Sequence, residues 1–442
     1  MANVRLKKMK KNESSREDLE ICSKQELIDK VLKLEAHVAQ LKCVLGKNGR
    51  EESQSATSKH KRPFDFTKCS QRHVFLKLLY LGWDYRGLAC QEDSQRTVEH
   101  HLFAALAKTC LVRSRETSSY HRCGRTDKGV SAFCQVVSLD VRSCLSAAEL
   151  ESSPATVRGE LPYARMLNRV LPKDIRVLAW CPVPAGASAR FDCKLRTYKY
   201  FFPRGNLDIQ AMNTAAQCVV GTHDFRNLCK MDVANGVVTF TRRVLSAQVH
   251  VRHSDSLHSS SKSGSGYDLC ELTLVGQAFL WHQVRCIMGI LLLVGEGKEQ
   301  PEIIKQLLDV ENYPRKPQYC LASDFPLNLF HCEFEHSDWC VDSQNIAEVI
   351  TTLQSVWTNL SVRATMVRAM LTECEAMTED GPIASQSSSL LQGVKAKVYQ
   401  PLLQRQTCDS LESRINHYVK KQKLEIVEEN SENKTSEVRT AT

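Results

Sequence analysis

Ten consecutive residues of this chain have types that can do chemistry: His121, Arg122, Cys123, Gly124, Arg125, Thr126, Asp127, Lys128, Gly129 and Val130. Two glycines bracket a single carboxylate. Glycine tolerates positive φ and lets another backbone approach, so the run predicts a tight loop presenting Asp127 and Arg125 outward from a strand-bearing scaffold. The chemistry open to such a loop is that of one carboxylate among cations. By residue type alone it is equally a plain turn carrying an Asp–Lys pair.

Other chemistries find no footing. No C-x-x-C pair occurs among the 19 cysteines, and the nearest cluster of metal-ligating types, Cys332, His336 and Cys340, lacks a fourth nearby ligand. No glycine-rich phosphate loop is present either, so the sequence predicts neither a metal nor a cofactor.

The elements that must position the loop are legible from periodicity. Val74, Leu76, Leu78 and Tyr80 alternate over His73 to Tyr80, predicting a strand. Thr97 then caps a helix bearing Val98, Leu102 and Leu106. Further strands are expected at Cys134 to Val141, Val244 to Val251 and Asp268 to Val275, and a buried helix from Trp281 to Val294, ended by Gly295. The mixture points to an α+β architecture. Ser152 to Gly159 and Ser254 to Gly266 read as surface insertions, Val349 to Leu371 as helical, and Glu375 to Gly393 as loop.

Ahead of this body, Ser23 and Glu26 form a capping-box signature before Leu27, Val31, Leu34, Val38, Leu41 and Leu45, with Gly46 as the stop. The run is under three heptads: a short coiled coil or an amphipathic helix docked on its own protein. The expected organisation is a basic tail and helix over 1–46, a linker over 47–71, two halves over 72–185 and 186–345, a helical extension over 346–419 and a polar tail over 420–442.

The whole chain, 442 residues with 42% hydrophobic and 25% charged side chains, has the composition of a folded protein of two or three domains at roughly 150 residues each. Its net charge of +9 leans toward a polyanionic partner, though solubility explains it as well. An odd cysteine count and an N-terminus without an apolar signal stretch fit a reducing compartment. The apolar run Cys286 to Val294 is far below the ~20 residues that cross a bilayer, so no membrane contact is expected.

Three segments, in order, then carry a resemblance. Gly124 to Val130 resembles the signature loop of the TruA-type tRNA pseudouridine synthases. Ala189, Arg190 and Phe191, followed by Arg196, Thr197, Tyr198, Lys199 and Tyr200, are similar to that family's A-R-F and R-x-Y-x-Y strand. Gly276 to Arg285, with Gly289, resembles its A-F-x-x-H-x-V-R-x-x-x-G stretch. The likeness covers about Arg72 to Glu335, with a weaker echo at Tyr399 to Tyr418.

The resemblance implies an antiparallel or mixed sheet built from two RNA-recognition-module-like halves, helices on one side and a catalytic cleft between them. It implies isomerisation of uridine to pseudouridine without metal or cofactor. Asp127 would be an ionised nucleophile whose pKa Arg285 lowers, and Tyr198 would stack on the target uracil near the proton to be lost. Arg125, Thr126 and His282 would join Tyr198 in substrate binding. Tyr200, on the same strand face, is expected in the core. The N-terminal helix and long C-terminal part look like the eukaryotic branch acting at positions 38/39 of the tRNA anticodon stem-loop, as a homodimer, in the nucleus with a share in the cytoplasm, with Lys7, Lys8, Lys10 and Lys11 as an import signal or phosphate-contacting arm. Rivals are the sister branch, acting at other tRNA positions or on mRNA, a tRNA-binding protein without catalysis, and a metal-using RNA hydrolase.

Overall fold

β1 (Gln71–Tyr80) buries Val74, Leu76, Leu78 and Tyr80 as the alternation predicts, yet Phe75 and Leu79 on its other face are buried as well. A strand covered on both faces needs packed layers on both sides of its sheet. In the computed structural model, which describes residues 64–153, 155–233, 236–253, 265–335, 337–378, 386–393 and 398–420, the strands are β1, β2 (His121–Arg122), β3 (Ser131–Arg142), β4 (Ile175–Pro182), β5 (Cys193–Pro203), β6 (Gly221–Asp224), β7 (Thr241–His253), β8 (Leu269–Gly276), β9 (Leu321–Ala322), β10 (Leu327–Phe334) and β11 (Leu391–Gln392). The helices are α1 (Val98–Lys108), α2 (Ala147–Ser152), α3 (Tyr163–Asn168), α4 (Ile209–Gln217), α5 (Gln283–Gly295), α6 (Ile303–Leu308), α7 (Ser343–Ala376) and α8 (Leu411–Lys420).

The chain divides into two units, Met1–Phe64 and Asp65–Thr442, and the described residues belong to the second apart from Phe64. The expected N-terminal helix, the lysine run and nearly all of the linker lie outside the described residues. So do His336, most of the Ser254 to Gly266 insertion and the tail beyond Lys420.

Nine strands form one mixed sheet in the order β4-β1-β3-β10-β5-β8-β7-β6, with β2 added alongside β3. β10 runs parallel to β3 and antiparallel to β5, and the other pairs are antiparallel. Two hydrophobic cores lie along it. One gathers β1, β3 and β4 with Val98, Leu102 and Leu106 of α1, and Thr97 caps that helix by accepting a bond from the His100 N–H. The other gathers β7 and β8 with α4, α5 and α6. Tyr198 packs against both. The α+β reading therefore holds, with two halves joined through β10.

Helices do not keep to one side. Leu79 and Leu178, which face away from the first core, pack on Val349, Ile346 and Leu353 at the start of α7. α5 is buried all round: Ile287, Met288, Ile290, Leu291 and Leu292 are each fully shielded. It sits so close to its neighbour that a Cβ on Gly289 would lie 2.7 Å from the Cys320 carbonyl oxygen. Truncating any of these large side chains to Ala is expected to cost about 2–5 kcal/mol.

Candidate active site

The Asp127 loop leaves β2 and enters β3, and its shape is held by bonds on both sides. The Cys123 N–H donates to the Val136 carbonyl (2.8 Å), Gln135 Nε2 to the Gly124 carbonyl (2.8 Å), and the Leu88 N–H to the Thr126 carbonyl (3.2 Å). The Thr126 hydroxyl is buried against the Tyr80 hydroxyl at 2.7 Å. Expected to touch substrate, this side chain instead braces the loop from beneath. Only the second bracketing glycine is forced: Gly129 has φ of +78°, and a Cβ there would meet Asp324 Cγ at 2.8 Å. Gly124 is in open space with no positive φ, so its glycine is not demanded by the backbone.

Opposite the loop, the chain between β8 and α5 delivers two side chains to Asp127. Trp281 Nε1–H donates to Oδ1 at 3.1 Å, and His282 Nε2 lies 3.3 Å from Oδ2. Both were expected inside the helix, but α5 begins at Gln283, because His282 adopts a left-handed conformation with φ of 59°. Such a conformation costs a β-carbon-bearing residue of order 1–3 kcal/mol and persists only where its surroundings enforce it. Here the reversal points consecutive side chains at one carboxylate.

Arg285 enters from the first turn of α5, 4% exposed, with Nη1 4.0 Å from Asp127 Oδ2. Its Nε donates to the Ala322 carbonyl (2.8 Å) and its Nη2 to Gln392 Oε1 (2.7 Å). Gln392 in turn donates to Asp324 Oδ2 (3.3 Å). Sequence reasoning missed both residues. Gln392 stands in a segment read as loop, and its strand β11 is only two residues long, too short to leave a periodicity. Asp324 has no motif around it. A third missed residue, Lys230, places its Nζ 4.1 Å from the centre of the Trp281 ring.

Charge follows from this packing. Burial pushes the Asp127 carboxyl above the usual aspartate range; Arg285, Trp281 and Lys230 oppose the shift and Asp324 adds to it. The expectation that Arg285 would set a lowered pKa is corrected, since desolvation outweighs the arginine at 4.0 Å. His282 is driven down to about 4, first by burial and then by Arg285, Lys230 and Lys316. Its ring is therefore neutral near pH 7 and approaches Asp127 as an uncharged group rather than as an ion.

Tyr198 stands half-buried on β5, edge-on to Phe279 at 5.1 Å, and burial raises its phenol well above the ordinary value. Phe279 belongs to the same short connection that carries Trp281 and His282, which ties Tyr198 to the Asp127 side of the sheet. Tyr200 is fully buried with no partner for its hydroxyl among the described residues; Arg285 and Asp324 act on its phenol electrostatically. Arg125 is exposed and makes no hydrogen bond among the described residues. The structure thus gathers Asp127, His282 and Arg285, packs Tyr198 against Phe279 of the connection that carries His282, and leaves Arg125 exposed.

Residues 215–335 match a family model described as tRNA pseudouridine synthase. That match takes in the Gly276 to Arg285 stretch but not Asp127. Whole-chain comparison reaches further. A tRNA pseudouridine(38/39) synthase of Bos taurus is 47% identical over 435 residues, covering 92% of this chain and 90% of that protein. The protein of the same name in Saccharomyces cerevisiae is 38% identical, covering 77% and 78%. A tRNA pseudouridine synthase A of Methanosarcina mazei is 30% identical over 274 residues, covering 62% of this chain and 89% of that protein.

Proposed function

The chain belongs to the TruA-type tRNA pseudouridine synthase family, in its eukaryotic branch, and from that premise we propose that it isomerises uridine to pseudouridine at positions 38/39 of the tRNA anticodon stem-loop, with Asp127 as nucleophile. The reaction breaks the bond from ribose to uracil nitrogen, turns the base, rejoins it through carbon and releases that carbon's proton. Electrons are neither gained nor lost, so no redox partner is needed. A carboxylate that forms a covalent intermediate divides the step in two. A carboxyl held above its usual pKa by burial is the more basic, and hence the stronger, nucleophile once ionised.

The observation that carries this reading is the pairing of Asp127 with a buried arginine fixed on its other edges by Ala322 and Gln392. Arg285 orients the carboxylate and balances its charge in a half-buried site. Tyr198 offers a flat face for the target uracil, and its raised pKa favours stacking and hydrogen bonding over a standing phenolate. Exposed Arg125 holds the target nucleotide out of its stack. Neutral His282 contacts the bound nucleotide from the Asp127 side.

Two chains cradle one tRNA in this reading, which doubles the formal charge of +9 facing phosphate. α7 supports it: Ile350, Trp357, Leu360, Val367 and Leu371 recur at helical spacing and are each 40% exposed or more, an apolar stripe suited to a second copy. The lysine run near the N-terminus supports residence in the nucleus, with a cytoplasmic share.

The test is tritium release from tRNA labelled at uracil carbon five, prepared from cells lacking the enzyme. Wild type should release label and Asp127→Ala should not. RNA binding by both proteins without release by either sinks the enzymatic reading in favour of a binding protein.

A further inference from the structure

We infer that the sulfurs of Cys123, Cys193 and Cys332 form a site for one thiophilic cation of the zinc type, which pins the catalytic loop to the two central strands of the sheet. The three residues are far apart in sequence and share no metal-binding spacing. They meet because β10, carrying Cys332, lies between β3 and β5; Cys193 opens β5, and Cys123 follows β2.

All three thiols are buried, and their sulfurs lie within 4.8 Å of one another. The Cys123 and Cys332 sulfurs are 3.4 Å apart. A tetrahedral zinc with bonds of about 2.3 Å sets its sulfurs roughly 3.8 Å apart, so the cluster needs adjustments of only a few tenths of an ångström to an ångström. A fourth buried thiol, Cys134, stands on β3, the strand that β10 pairs with, and is the nearest further candidate to complete the set.

Buried cysteines are common, so proximity is not enough. The second observation is Arg196. Its side chain is buried and donates only to backbone carbonyls: Cys123 at 2.9 Å, Arg190 at 3.1 Å and Gln277. Among the described residues no carboxylate comes within ion-pairing distance of it. A buried guanidinium without a counter-charge is costly. A divalent cation on three thiolates carries one net negative charge, which is the charge Arg196 lacks. Each ligating thiol gives its proton to solvent on binding, and no electron moves.

The consequence is positional. Cys123 precedes the Gly124 to Gly129 loop, and Arg196 is two residues before Tyr198, so the cation would fix the nucleophile's loop against the stacking tyrosine's strand. With Cys134 as a fourth thiolate the tetrahedral set is closed and the ion is structural, without an open position for substrate.

The full-length reduced chain, freed of metal, is titrated with Co2+ and followed by its thiolate charge-transfer absorption; zinc is counted by elemental analysis of protein purified from zinc-supplemented cells. The expected result is about one equivalent of either metal in wild type and in the exposed-cysteine control Cys90→Ser, and an affinity at least about tenfold weaker in Cys332→Ser. Alkylation mapping on wild type covers the case in which that variant fails to fold: Cys123, Cys193 and Cys332 should be protected by zinc and released by chelator. Failure of wild type to take up stoichiometric metal, equal uptake by Cys332→Ser, or a Cys123–Cys332 disulfide formed in place of metal binding each overturns the inference. None of these readouts depends on turnover, so they stand apart from the reaction proposed for Asp127.

Discussion

Arg285 Nη1 lies 4.0 Å from Asp127 Oδ2 while the arginine's Nε and Nη2 are tied to the Ala322 carbonyl and to Gln392. A planar guanidinium reaches these partners from three separate nitrogens in a fixed fork; the three donors of an ammonium all radiate from one nitrogen and cannot span the same positions. Arg285→Lys should therefore lower kcat by about 100-fold, close to 2.7 kcal/mol of lost stabilisation, with KM for tRNA changed less than about threefold. Steady-state kinetics on purified tRNA read this directly, and a lysine variant within about fivefold of wild type removes the arginine from the mechanism.

Gln392 supports that arginine from a segment with no motif. Gln392→Ala leaves a buried Nη2 donor without its partner, for a loss of about 1–3 kcal/mol in folding stability, together with a fall in kcat. Denaturant unfolding and turnover should fall together. An unchanged kcat shows that Arg285 keeps its aim from Ala322 alone.

Asp324 adds to the upward shift of Asp127. If turnover needs the ionised carboxylate, the acid limb of the kcat profile reports Asp127, and Asp324→Asn should move that limb to lower pH. The substitution keeps an acceptor for Gln392 Nε2 while removing the charge. A limb that stays in place, or moves upward, contradicts the assignment.

His282 is neutral until about pH 4, against 6.5 for an ordinary histidine. A histidine whose folded pKa is depressed binds fewer protons folded than unfolded, so its contribution to stability is whole above about 6.5 and declines as pH falls toward 4. The difference corresponds to at most about 3 kcal/mol, most of which His282→Gln should abolish. Unfolding curves from pH 7 to pH 4 for the two proteins should run together at the neutral end and diverge at the acid end, where only wild type loses this stability. Parallel curves rule out the buried neutral ring.

The two tyrosines of the β5 motif should separate under the same substitution. Tyr200 has a buried hydroxyl with no partner among the described residues, so Tyr200→Phe is expected to be neutral or stabilising by up to about 1 kcal/mol, with turnover near wild type. Tyr198→Phe keeps the stacking face and loses the hydroxyl, and should bind tRNA normally while kcat falls. Equal effects of the two changes on kcat undo the distinction between them.

Much of this site was legible in the sequence because it is written in local patterns. Alternation marked β1, β3, β7 and β8, Thr97 announced its helix, and the spacing around Asp127, Tyr198 and Arg285 carried the family likeness. Other features were settled by distance along the chain. Gln392 reaches Arg285 across 107 positions, and Cys332 reaches Cys123 across 209. No window on the sequence spans such intervals, and only the insertion of β10 between β3 and β5 closes the second. The left-handed turn at His282, which ends the predicted helix early and aims two side chains at one carboxylate, is likewise enforced by packing rather than by propensity. Even the sign of the Asp127 shift was undetermined by residue types: an arginine beside an aspartate argues for a lowered pKa, and it is the burial of the pair, a property of the folded chain alone, that reverses it.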